Sequence, residues 1–200
     1  NISIFFNAKF MFKFYHVMDN FSNHFLISMP HMTDPFFQKS LVYICEHDYE
    51  GAMGIIINKT LSSENVQDVL TQTGLNRIKP HPEVYLGGPV AIETGLILHD
   101  ASYKSEGELE ITKEIKLTSN NQIIDDIINE IGPKDYLFSL GYSGWGKGQL
   151  EQEIEDGDWL IMPANYEHIF ELSHDSKWST AAIKFGIDIN NFSGGQSGKA

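Results

Sequence analysis

A single compact α+β domain, with a mixed and largely antiparallel β-sheet at its core and helices around it, is the fold class this sequence predicts. Three observations carry the prediction. A chain of 200 residues, 42% hydrophobic and 20% charged, can bury one sizeable core but not two comfortable ones. Short runs of β-branched and aromatic residues bounded by turn residues recur along it, the signature of strands. Those runs do not alternate regularly with helical patterns, as a doubly wound parallel sheet would require.

The strands are expected, in order, at residues 24–29 (HFLISM), 41–47 (LVYICEH), 52–59 (AMGIIINK), 83–88 (EVYLGG), 95–100 (GLILHD), 109–117 (LEITKEIKL), 135–142 (DYLFSLGY) and 158–164 (DWLIMPA). The four residues DYEG join the second and third runs closely enough for a hairpin, with Gly51 free to take a positive φ. Helical spacing is clearest at Ile123, Ile124, Ile127, Ile128 and Ile131, a stripe ended by Gly132 and Pro133. A second stripe, Trp178, Ala181, Ala182 and Phe185, ends at Gly186. Weaker helical patterns cover 63–73, through Val66, Val69 and Leu70, and 148–156, through Leu150 and Ile154.

The domain is expected over 18–192. Residues 1–17 are aromatic-rich, but lysines interrupt the apolar run and no small-residue cleavage site follows, so they read as a dispensable or disordered extension rather than a secretory signal or membrane helix. Residues 193–200, rich in glycine and serine, read as a flexible tail. A single cysteine, Cys45, forbids an internal disulfide and a multi-cysteine zinc site, which fits a cytoplasmic protein.

Charge bounds the partners. The formal net charge is −13, and residues 106–158 carry thirteen acids against four lysines. Such a surface repels a phosphate backbone, so direct nucleic-acid binding is not expected; nor is a membrane role. Eight histidines are present, yet they are scattered and no metal site is expected.

The stretch GYSGWGKG, residues 141–148, falls one residue short of a triphosphate-binding loop. Gly141, Gly146 and Lys147 match the pattern, but Gly148 stands where a hydroxyl should hold magnesium. Glu151, Glu153 and Glu155 then compete with phosphate for the following helix N-terminus. Ser143 begins a nucleophile elbow, but Trp145 displaces its closing glycine. The stretch therefore reads as a tight turn from strand to helix. No catalytic residue and no cofactor is assigned. The candidates for a ligand-binding cleft are Cys45 and His47, expected on one face of their strand, with Asn58, Lys59, Gly87, Gly88 and Trp145 at strand ends and beside tight backbone.

The ordered motifs HFLISMP, DPFFQKSLVYICEHDYEGAMGIIINK, VYLGGPV, GLILHD and LGYSGWGKGQLEQEIEDGDWL, with the terminal SGGQSGKA, resemble the YqgE/AlgH family of bacterial proteins from about His24 onward. The resemblance implies a compact α+β fold, a cytosolic location and the label of a transcriptional regulator, without catalytic residues, cofactor or DNA-reading helix. The family's terminal Gly-His-Ala here reads Gly198-Lys199-Ala200. The isoleucine-striped helix presents Asp125, Asp126, Asn129 and Glu130, and the helix ending at Gly186 offers only Lys177 and Lys184, unlike a DNA-recognition helix. The expected role is thus regulatory, through an unidentified protein or small-molecule partner; the alternative is an enzyme or ligand sensor whose cleft joins the CEHD, INK, LGGP and GYSGWG motifs.

Overall fold

The computed structural model describes residues 20–187; the expected extension over 1–17 and the tail over 193–200 lie outside them. The chain runs β1 (His24–Ser28), β2 (Leu41–Asp48), β3 (Gly51–Ile56), α1 (Ser63–Thr73), a 3₁₀ turn (Leu75–Arg77), β4 (Val84–Leu86) and β5 (Val90–Asp100). It continues through β6 (Leu109–Glu110), β7 (Ile115–Thr118), α2 (Gln122–Ile128), β8 (Tyr136–Gly146), α3 (Gln149–Glu155), β9 (Trp159–Pro163), α4 (Tyr166–Phe170) and α5 (His174–Phe185). The strands form one sheet in the order β6-β7-β5-β8-β3-β2-β1-β9, and β4 joins β8 beside β3. All named strand pairings are antiparallel except β4 on β8.

Alternation along the strands divides the core between two faces, because successive side chains point opposite ways. Phe25, Ile27, Tyr43, Ile55 and Leu98 pack with Trp178, Ala181 and Ala182 of α5 on one face. Leu26, Val42, Ile44 and Ile56 pack on the other with Leu150 of α3. Farther along that second face, Ile97 and Phe138 meet Leu70 of α1 and Ile123 and Ile124 of α2.

Several elements differ from the sequence expectation: β5 begins at Val90 rather than at 95, the helix Tyr166–Phe170 was not expected, and three further differences have local causes. The run 109–117 is not one strand but the hairpin β6–β7, turned by Thr112, whose Oγ1 accepts from the Glu114 and Ile115 amides at 3.1 and 3.0 Å. Helix α2 stops before Ile131. Glu130 takes the left-handed conformation at φ 60°, its amide bonds Ile127 O and that of Ile131 bonds Asp126 O, so a Schellman cap forms on a glutamate ahead of Gly132. Lastly, β8 runs through Gly146, so the tight turn of GYSGWGKG is confined to its end, where Gly148 has φ 71°. Among the described residues no helix is long and apolar enough to cross a membrane.

Candidate functional site

Strand β8 is the spine of the region where the motifs meet. Residues 136–140 pair with β5 on one side and residues 138–140 with β4 on the other; residues 143–146 pair with β3. Gly141, at φ 67°, marks the change of partners and slips the alternation by one. Before it, Leu137 faces the α5 side and Phe138 the α1–α2 side; after it, Tyr142 faces the α5 side and Trp145 the α3 side.

The LGGP segment lies directly against this kink. A Cβ on Gly87 would stand 2.2 Å from Ser139 Oγ and 2.3 Å from Gly141 O, and one on Gly88 would stand 2.3 Å from the Tyr142 carbonyl carbon. The glycines bring backbone against backbone. Gly87 O accepts from the Ile56 amide at 2.9 Å and from Ser143 Oγ at 3.0 Å. The Ser143 hydroxyl is fully buried in that bond. The INK motif joins the same junction through Lys59 O, which accepts from the Leu86 amide at 2.8 Å. Asn58 crosslinks the chain beside it: Oδ1 accepts from the Leu41 amide at 2.7 Å and Nδ2 donates to Lys39 O at 2.9 Å. Lys59 Nζ donates to Pro35 O at 3.2 Å, and burial holds its ammonium pKa below the ordinary lysine value.

Cys45 and His47 do not share a face. The β2–β3 register shifts between Ile44 and Glu46, and this bulge at Cys45 reverses the alternation beyond it. Cys45 packs on the α5 side, its Sγ 3.6 Å from Tyr43 O. Burial, aided by the neighbouring Glu46, raises its thiol well above the usual range. His47 turns to the α3 side and stacks on Phe21 at 4.8 Å. The Phe21 amide donates to its Nδ1 at 2.9 Å, so Nε2 carries the ring proton and donates to Glu151 Oε1 at 3.1 Å.

His47, Ala52 and Trp145 form one cross-strand row, and α3 lies over it. Glu153 Oε2 accepts from the indoles of both Trp145 and Trp159, at 2.8 and 2.9 Å, while the two rings meet nearly edge to face at 6.1 Å. Phe37 packs on both indoles. Two of the acids that disfavour a phosphate loop, Glu151 and Glu153, thus have partners on the sheet. Of the seven candidates, Asn58, Lys59, Gly87 and Gly88 gather at the β4–β8 junction, His47 and Trp145 gather under α3, and Cys45 stands apart on the opposite face.

Several buried polar groups escaped the sequence reading, among them Lys177 and His99. Lys177, expected at the helix surface, is 1% exposed; its Nζ donates to Ile169 O at 2.7 Å and lies 5.3 Å from the Tyr85 ring. Burial, opposed by Glu83, lowers its pKa to about 8. His99 is buried on β5. Its signal was present: a histidine closing an apolar strand, opposite Lys116 on β7.

Comparison with known proteins agrees with this architecture. The profile of the AlgH-like family, DUF179, matches residues 25–190. A UPF0301 protein of Thioalkalivibrio sulfidiphilus is 40% identical over 177 residues, covering 88% of this chain and 95% of its own length. One from Neisseria meningitidis is 41% identical over 172 residues, covering 84% and 93%. The solution structure of the AlgH protein from Pseudomonas aeruginosa superposes with a TM-score of 0.71 at 36% identity, covering 92% of this chain and 97% of that one. The crystal structure of protein DIP2367 from Corynebacterium diphtheriae, at 20% identity and TM-score 0.68, shares the fold over 86% of this chain and 91% of its own. The motif order and these matches agree: the chain belongs to the AlgH-like UPF0301 family.

Proposed function

We propose that this protein is a cytoplasmic regulator that acts through a protein or small-ligand partner and does not itself read DNA. One observation carries the second half of that reading. Among the described α-helices, α1 to α4 contain no lysine or arginine, and of the two lysines of α5, Lys177 is buried. Lys184 alone is left to meet a phosphate, whereas a recognition helix needs several such contacts together with polar groups for base edges. The net charge of −13 opposes the approach as well. A fluorescence-anisotropy titration with labelled duplex DNA at low ionic strength tests it: no saturable binding is expected, and binding that weakens steeply with added salt would overturn it.

A second reading, an enzyme or ligand sensor with its cleft at the four motifs, draws support from the junction of Asn58, Lys59, Gly87 and Gly88. Lys59 is its best side chain, an ammonium partly withdrawn from water that donates to the Pro35 carbonyl. Crystals soaked in a metabolite mixture would show density against Lys59 if this reading holds; an empty junction would sink it.

A further inference from the structure

The outer end of the sheet, where β5, β7, β6 and the 101–108 loop meet, holds a polar group unlike those under α3. His99 on β5 stands opposite Lys116 on β7, and Lys116 stands opposite Glu110 on the edge strand β6. The two-residue period places Thr118 on the same face as Lys116. His99 is fully buried and Lys116 is 6% exposed.

The bonding pattern defines what each group still wants. His99 Nδ1 lies 2.8 Å from Asp100 O, a carbonyl that can only accept, so Nδ1 carries the proton. Nε2 is then a buried lone pair, and it has no partner among the described residues. A buried lone pair without a donor costs stability. The His99 ring meets Tyr103 edge-on at 5.7 Å, but the Tyr103 hydroxyl donates to Asp126 Oδ2 at 2.5 Å and is not free for it. Lys116 passes over the exposed Glu110 opposite and pairs with Glu108 from the loop. The second oxygen of Glu108 accepts the Ser105 amide at 2.8 Å, and Thr118 Oγ1 donates to Ser105 Oγ at 3.1 Å. Burial alone would raise the Glu108 carboxyl; the Lys116 and Ser105 bonds and the Lys116 charge outweigh it and hold the pKa below the usual range.

Lys116 and the Ser105 amide thus make a carboxylate site already occupied by Glu108, beside the residue whose lone pair is unmet. Its occupant comes from a surface loop in which Ser102, Lys104, Glu106 and Gly107 are exposed, and nothing lies within 4 Å of a Cβ placed on Gly107. The strand that follows, β6, is only two residues long. We propose that Glu108 is a built-in occupant of a ligand site, and that a small hydroxycarboxylate replaces it. The ligand carboxylate takes Lys116 Nζ and the Ser105 N–H, and its hydroxyl donates to His99 Nε2. A plain carboxylate leaves that lone pair unmet, so the hydroxyl is the selecting group. This site shares no residue with the α3 clamp or the Gly87–Gly88 junction, and a DNA-binding result does not bear on it.

Nitrogen NMR of the His99 side chain in Glu108→Ala, titrated with lactate, acetate and inorganic phosphate, tests the assignment. Lactate is expected to shift Nε2 saturably, about tenfold more tightly than acetate and about tenfold more tightly than in the unsubstituted protein. Adding Lys116→Met, which removes both ions together, should abolish the response without unfolding the chain. Glu108→Ser, which also clears the occupant but leaves a polar group, serves if Glu108→Ala loses its native spectrum. No saturable His99 shift in a natively folded variant would overturn the proposal. Equal affinity for acetate, or saturation by phosphate but not lactate, would overturn the hydroxycarboxylate assignment.

Discussion

Two regions on one side of the sheet treat buried polar groups in opposite ways. Under α3, the groups answer one another: Glu153 accepts two indole N–H groups, and His47 receives the Phe21 amide at one nitrogen and gives its proton to Glu151 at the other. At the β5–β7 end, an ion pair sits beside a histidine nitrogen with no partner among the described residues. The difference teaches how to separate polar residues that hold the fold from those available to a ligand. A matched donor and acceptor have little left to offer, whereas an unmatched buried atom is a standing cost that a ligand can relieve.

The comparison can be broken first at its strongest point. Gly87→Ala, on the junction that steers β8 toward α3, has no room for its methyl group between Ser139 and Gly141, and a loss of about 4 kcal/mol or more is expected, read as failure to give a native spectrum. Glu153→Ala strands two indole donors and should cost about 2–4 kcal/mol by urea unfolding; Glu153→Gln, which keeps an acceptor, should cost less.

Lys177 supplies a pH test. Because its folded pKa is lowered to about 8 from an ordinary value of 10.5, the unfolded chain binds the proton more firmly between those values. Stability from this group therefore rises as pH climbs through that window. Relative to Lys177→Met, the unsubstituted protein should gain on the order of 1–3 kcal/mol between pH 7 and pH 10.5, measured by urea unfolding at both pH values. The smallest effect is expected at Glu151, whose side chain is 43% exposed: Glu151→Gln should change stability by less than about 1 kcal/mol.

Much of this arrangement was legible in the residues. Runs of β-branched and aromatic residues between turn residues located the central strands, and the glycine at 186 does close α5 in the left-handed conformation. The bulge at Cys45 was not legible, because it is a property of β2 against β3 and no turn residue marks it. One inserted residue was enough to separate Cys45 from His47. Thr112 hid the β6–β7 turn by supplying with a hydroxyl what glycine or proline usually announces. The glycines of GYSGWG signalled tightness correctly, but not its source, the approach of residues 87–88 from a segment more than fifty positions earlier. Lys177 was misplaced because its charge suggested solvent, while a nearby carbonyl and an aromatic face accept it indoors.

The contrast between the two regions is tested most directly in one proton–nitrogen correlation experiment on Glu108→Ala during a lactate titration. The indole N–H signals of Trp145 and Trp159 report on the α3 clamp, and the His99 side-chain signals report on the β5–β7 end. The expected result is a saturable shift at His99 with both indoles unmoved. Indoles that respond while His99 stays silent would contradict the account.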